Sequence, residues 1–256
     1  LDFQHAAILV AAGIGGGALS SVIGGASIVT FPALIAAGLP PLSATVCNIA
    51  ATTPGVLVAA LADRKQLPPV NRAFAGLVLM SFFGAALGSA LLLLTPQKVF
   101  TLIVPLLLGF ATILFMLANR ISLWMRERAQ RRGREVGFSV TSLKILFPVS
   151  FYGGYFGAGV GIMLLGVLSI ATGGDYRSAN ATKNLVGVFN NLAATAVFMT
   201  QSAIFWPQTL TLMAGTVMGG LLGAWVSRVL PKEAARVLVI TAGSLLTVIF
   251  AWRYWF

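Results

Sequence analysis

Long stretches of this chain carry almost no charge, and that limits what its backbone can do. Residues 74–94, 99–119, 210–230 and 234–252 are nearly unbroken apolar runs, each about as long as the 20 residues a bilayer core demands of a helix. Inside hydrocarbon, backbone groups must pair within a helix or line a protected cavity. Charged residues are only 9% of the chain and apolar ones 58%, whereas soluble domains carry roughly a quarter charged residues. A water-soluble domain of 256 residues would need far more polar surface. The runs are too many and too central for a signal peptide. The chain opens on Leu1 rather than Met, as expected if a leader or tag precedes this numbering. The expected class is an all-α, polytopic integral membrane protein.

The chain also repeats itself. A shift of about 135 positions aligns Gly84 with Gly219, Gly88 with Gly223, Pro96 with Pro231 and Ala44 with Ala179. Upstream the shift is one shorter, so Gly25 meets Gly159 and Ile28 meets Ile162. Each copy reads as a glycine-broken hairpin followed by three transmembrane helices. The first hairpin is 6–38, with spans at 43–61, 72–94 and 98–119. The second is 144–173, with spans at 178–200, 207–230 and 233–252. Each hairpin is long enough for two short spans or one re-entrant excursion. The expected divisions are therefore 1–119 for the first repeat, 120–143 for a basic linker and 144–256 for the second repeat. Gly84-x-x-x-Gly88 and the triplet Gly215, Gly219, Gly223 put small residues on one helix face, which suits close packing between the halves.

The net charge of +11 invites a nucleic-acid reading, and its distribution argues against one. Arg120, Arg126, Arg128, Arg131, Arg132, Arg134 and Lys144 crowd the linker, the signature of a cytoplasmic loop, with anionic lipid as an additional partner. With the linker inside, the basic loop at 63–72 is also inside, and so is the basic turn at 228–236. The neutral loop at 201–208 and the turn at 95–97 fall outside. The loop that is basic in one copy is neutral in the other, which predicts two inverted-topology repeats. Both termini come out external; Asp2 fits this and Arg253 does not. Cys47 is the only cysteine, so neither an intrachain disulfide nor a cysteine metal cluster is available. His5, the only histidine, stands before the first apolar run as an interface residue. No metal or other cofactor is expected.

Chemistry is expected where the glycines cluster. Gly24-Gly25 and Gly157-Ala158-Gly159-Val160-Gly161 weaken a helix at membrane depth. A broken helix exposes free N–H groups and a positive dipole end, which suits an anion. A polar helix follows each break. On the second, Asn180, Asn184, Asn191 and Thr195 recur at helical spacing, Gly187 fills the gap in the stripe, and Lys183 and Asn190 lie beside it; Thr182 is a further hydrogen-bonding residue of this helix. On the first, Thr45, Asn48, Thr52 and Thr53 do similar work, and Asn48 aligns with Lys183. Unpaired amides are expensive in lipid, so these side chains face protein or a cavity. Lys183 is either a snorkelling lysine or the counter-charge of an anionic ligand. Apart from Glu233 at the edge of the last span, no Asp or Glu lies inside any span to neutralise it, which also argues against a cation transporter.

At these residues the chain resembles the sulfite exporter TauE/SafE (TSUP) family of permeases. The match runs through Tyr152-Gly153-Gly154-Tyr155-Phe156-Gly157-Ala158-Gly159-Val160-Gly161 and Arg177-Ser178-Ala179-Asn180-Ala181-Thr182-Lys183-Asn184. It is looser at Leu19 to Ala26 and at Phe31-Pro32-Ala33-Leu34, where Ala26 and Ser27 replace family glycines and Asn48 a small hydroxyl residue. The resemblance implies a multi-pass permease of a bacterial-type plasma (inner) membrane. It would move a sulfur-containing anion such as sulfite, a sulfonate or sulfoacetate, usually outward. The expected function is a secondary transporter working by alternating access, and not an enzyme. The alternatives are a passive anion channel and a non-transporting membrane protein. The expected binding residues are Lys183, Asn48, Asn180, Thr182, Asn184, Asn190, Asn191, Thr45, Thr52, Gly25, Gly157, Gly159 and Gly161. The expected partners are the sulfur anion, membrane lipid and optionally a second copy of the chain, with no nucleic acid.

Overall fold

The computed structural model describes residues 2–22, 24–68, 71–131, 140–171, 175–201, 203–229 and 232–255. The expected positions Ile23, Arg132, Gly133, Arg134, Gly137, Gly173, Leu230 and Pro231 lie outside the described residues. Ten α-helices follow one another among the described residues: α1 (Phe3–Val22), α2 (Ala26–Ala36), α3 (Pro41–Ala62), α4 (Arg72–Leu94) and α5 (Gln97–Arg131), then α6 (Val140–Tyr155), α7 (Val160–Ala171), α8 (Tyr176–Met199), α9 (Trp206–Val229) and α10 (Lys232–Trp255). Among the described residues there is no strand. The chain is an all-α polytopic membrane protein. Five helices among the described residues are long and apolar enough to cross a bilayer.

Local chemistry places several of the helix starts. Pro41 opens α3 at its first position, where a missing N–H costs nothing. Asn71 caps α4 by accepting the Phe74 N–H, and Asp175 caps α8 by accepting from Arg177 and Ser178. The fifth helix runs on to Arg131, past the expected end at Asn119. Residues 120–131 contain no Gly or Pro, so the first part of the expected linker continues the helix instead of breaking it.

The first hairpin is unequal. Twenty residues of α1 span about 30 Å and the eleven of α2 about 16 Å, so a full-length helix is followed by a half-length return. In the second hairpin α6 has 16 residues and α7 has 12. Left-handed glycines make the reversals: Gly24 at φ +82°, and Gly157 and Gly159 at +81° and +78°. The Gly24 N–H turns back onto the Leu19 and Ser20 carbonyls, and the Gly157 N–H onto the Tyr152 carbonyl. This is how a glycine in the left-handed region closes a helix.

Packing couples the two copies. Helix α3 lies against its counterpart α8 with Thr52 beside Asn191, Val56 beside Gly187 and Asp63 beside Asn180, so the pair runs antiparallel. Helices α5 and α10, also counterparts, do the same: Leu102 meets Trp255, Gly109 meets Thr247 and Thr112 meets Gly243. Between copies, α1 packs along α9 and α4 along α6, both parallel. Exchanging the copies turns the α1–α9 contact into the α6–α4 contact, and the α3–α9 contact into the α8–α4 contact. The seams are glycine-lined. A Cβ at Gly13 would lie 2.8 Å from the Gly215 Cα, and one at Gly84 would lie 2.8 Å from the Phe147 carbonyl oxygen. Without side chains between them, the backbones meet directly.

Burial sorts the helices. The most apolar stretch of α3 is 72% buried, and that of α10 only 17%. Exposed Leu79, Phe83 and Leu87 on α4, Leu102, Leu106 and Phe110 on α5, and Leu245, Val248 and Trp252 on α10 form an apolar exterior suited to lipid. The polar helix α8 lies inside with α3: Asn180, Thr182, Lys183, Asn184 and Asn190 are all buried.

Candidate functional site

The two glycine hinges meet. A Cβ on Gly24 would lie 3.0 Å from the Gly161 Cα, and one on Gly161 would lie 2.8 Å from the Gly24 Cα. Ile28 and Ile162, equivalent positions in the second turn after each hinge, share one buried cluster with Leu19, Phe115 and Val239. The starts of α2 and α7 are therefore brought together. Gly25 precedes α2 with no side-chain cap, so that helix presents bare N–H groups. Both half-helices begin here, and each contributes the positive end of its dipole.

Lys183 reaches the same place from α8. It is 3% exposed, and its Nζ donates to the Ser20 carbonyl at 3.2 Å. That carbonyl also accepts from the Gly24 N–H. The snorkelling alternative is thereby excluded, because the ammonium points inward at the end of α1. Among the described residues no carboxylate lies within 4.0 Å of it. Its hydrogen bond goes to a neutral oxygen and Asp63 acts on it only through space, and a buried cation compensated so incompletely is costly. One turn earlier, the Asn180 Nδ2 donates to the Ser21 carbonyl and to Asp63 Oδ2, each at 3.5 Å. Lys183 and Asn180 thus cover the carbonyl end of α1, where positive charge is favoured.

Much of the α8 stripe has nothing to bond. Asn180 Oδ1, Asn184 Nδ2, both polar atoms of Asn190 and the Thr195 hydroxyl are buried without a partner among the described residues. Each such group costs about 1–3 kcal/mol. Asn190 lies where a Cβ on Gly153 would meet it at 2.8 Å, next to the Val160 side chain at the start of α7. Asn191 reaches the Thr52 hydroxyl at 3.4 Å.

The first copy differs. Asn48, the counterpart of Lys183, donates to the Ser27 hydroxyl at 3.0 Å and accepts from the Thr30 hydroxyl at 2.5 Å, so its amide is satisfied on both sides. Thr45 donates to the Pro41 carbonyl, and Thr52 to the Asn48 and Ile49 carbonyls. As donors these hydroxyls are spent on their own helix, while the Thr52 oxygen also accepts from Asn191.

The structure thus gathers Lys183, Asn180, Gly25 and Gly161 around the joined hinges, with Asn190 beside the start of α7. Asn184 stands one turn beyond Asn180 on the same helix face. Gly157 packs against Ile49, and Gly159 against Ala111; they shape the second hinge. Thr182 is not with them. At 100° per residue it lies on the far side of α8 from the stripe, and its hydroxyl donates to the Ser178 carbonyl. His5 pairs with Asp2 at the exposed start of α1, remote from the hinges. Sequence reasoning passed over Asp63, which sits among basic loop residues. Its signal was there: Thr52, Gly55, Ala59 and Asp63 recur at helical spacing along one face of α3. It also passed over Ser27 and Thr30, the partners of Asn48.

Comparison with known proteins places the chain in a family. The family model described as "Sulfite exporter TauE/SafE" matches residues 9–250. A "Probable membrane transporter protein" of Haemophilus influenzae is 27% identical over 242 residues, covering 94% of this chain and 92% of that one. "Probable membrane transporter protein ORF9" of a Sinorhizobium species is 29% identical over 225 residues, covering 88% and 84%. "Probable membrane transporter protein YfcA" of Escherichia coli K12 is 24% identical over 210 residues, covering 81% and 75%. No solved structure matches the chain. The chain belongs to the sulfite exporter TauE/SafE family, and it is a multi-pass membrane protein of a transporter family.

Proposed function

We propose that this member of the TauE/SafE family is a secondary transporter that carries a small sulfur-containing anion out of the cell across the bacterial inner membrane. The site is the space around the joined hinges, and the protein acts without enzymatic chemistry. One observation carries the reading: Lys183 is buried with its ammonium held by a backbone carbonyl, and among the described residues no carboxylate lies within 4.0 Å of it, Asp63 acting only from farther off. Two half-helices start beside it, so their positive ends add to the same field. An anionic guest offsets all three at once. The nearby amides of Asn180, Asn184 and Asn190 supply hydrogen bonds that orient it.

The transport reading adds the membrane. Counterpart helices that run antiparallel across their own midpoints support two inverted-topology repeats, whose opposed orientation alternates the access of a shared site. With the basic linker in the cytoplasm, Lys183 lies on the cytoplasmic side of the α3–α8 crossing and Asn48 on the outer side.

Flux of sulfite and of simple sulfonates into liposomes tests this. The parent protein gives saturable flux that counter-transport accelerates. Lys183→Ala, checked for a monodisperse elution profile, falls by roughly 30-fold or more, the scale for removing a buried charge from its partner. Undiminished flux in the variant removes the charge role. Flux that neither saturates nor responds to counter-substrate identifies a channel.

A further inference from the structure

We infer that the guest of this site is a monoanion that keeps a hydrogen-bond donor: a sulfonate or sulfite-type oxyacid with one negative charge and an O–H or N–H group. This rests on the anion-transport reading and narrows it. The orientation of Asn180 is fixed by its partners. The Asp63 carboxylate and the Ser21 carbonyl both accept, so the nitrogen faces them and Oδ1 faces away. That oxygen is buried, with no donor among the described residues. Lys183 and Asn184 follow on the same helix face within about 6 Å of rise. The Asn184 Nδ2 is a buried donor without an acceptor. In a single turn the helix therefore offers an acceptor, a cation and a donor. Asn190, whichever way its amide is turned, adds one more donor and one more acceptor, both unpaired.

A guest that only accepts hydrogen bonds answers Lys183 and the amide nitrogens, but sets its oxygens against Asn180 Oδ1. A guest with an O–H or N–H answers both. Charge sets the second limit. Lys183 is one positive charge, and Asp63 already stands behind Asn180. A second negative charge on the guest would be buried without a counter-ion, which is expensive.

Two sulfonates of the same shape separate these cases. Isethionate ends in a hydroxyl where propane-1-sulfonate ends in a methyl, and sulfoacetate places a second charge there. Binding to the purified full-length protein is measured by titration calorimetry at neutral pH, with sulfite as the reference anion. Isethionate binds about tenfold tighter than propane-1-sulfonate, or more, because the apolar analogue leaves a buried acceptor unpaired. Sulfoacetate binds at least about tenfold weaker than isethionate. Asn180→Leu pulls the isethionate to propane-1-sulfonate ratio toward one. Equal affinity for the two isosteric sulfonates in the parent protein overturns the inference, and so does tighter binding of sulfoacetate. A ratio unchanged in Asn180→Leu overturns the role of that oxygen. If Asn180→Leu fails to fold, the parent ratios still decide. If sulfite and all three sulfonates fail to bind, the anion reading itself falls, and this inference with it. If all bind without preference, only the present inference falls.

Discussion

Asn48 and Lys183 occupy equivalent places in the two copies and have opposite surroundings. Asn48 has a donor and an acceptor from α2 at 2.5 and 3.0 Å and leaves nothing unpaired. Lys183 has one carbonyl, and the stripe around it carries orphan amides at Asn180, Asn184 and Asn190. Duplicated backbones supply the same hinge twice, yet the polar side chains of one copy are closed on themselves while those of the other are left open. A satisfied network rigidifies. An open one is stable only if something completes it. The first copy therefore reads as the frame and the second as the receptor.

The largest test of that contrast is to make the two copies alike. Lys183→Asn installs the residue of the first copy and is expected to abolish anion flux, while the protein keeps its elution profile. Retained flux would mean that the copies share the work. Next comes a pair of matched truncations. Asn48→Leu takes the Asn48 amide from Ser27 and leaves Thr30 only the Ala26 carbonyl of its own helix, and should lower stability by about 1 kcal/mol or more. Asn184→Leu removes an already unpaired donor, so it should leave the melting temperature level or raise it while anion affinity falls. The comparison breaks if the two variants move in the same direction in a thermal melt. The smallest effect is expected at Thr182→Val. Its hydroxyl serves only its own helix, so flux should change less than twofold and stability by about 0.5 kcal/mol or less. A larger loss would return Thr182 to the site.

The frame was more legible in the sequence than the site was. Uncharged runs determine spanning helices, because nothing else satisfies the backbone in lipid, and the glycine spacing of 215, 219 and 223 correctly marked a packing face. The spanning part of α5, Gln97–Leu117, falls where the uncharged run puts it, and the helix goes on into the basic linker, since arginines end an apolar run without ending a helix. Hairpin asymmetry was hidden because propensity does not say how far a helix travels before a glycine takes the left-handed region. At the site, Lys183 and the amides were visible from their spacing. Their partners were not. The Ser20 and Ser21 carbonyls are backbone atoms that any residue would supply, and Asp63 looked like a loop residue. Thr182 was grouped with the hydrogen-bonding residues by type, and type does not say which way a side chain points: two positions beyond Asn180 is a rotation of about 200°.

The seams between α1 and α9 and between α4 and α6 bind each half to the other through bare backbone. Gly13 meets Gly215 and Ser21 meets Gly223, about two hundred residues later in synthesis, and such distant partners are slow to find. During biogenesis the groove on α1 stays vacant until nearly the whole chain has been inserted. Neither copy on its own completes a packed body, so a chain cut at the linker should recover its shape only when both fragments are made together.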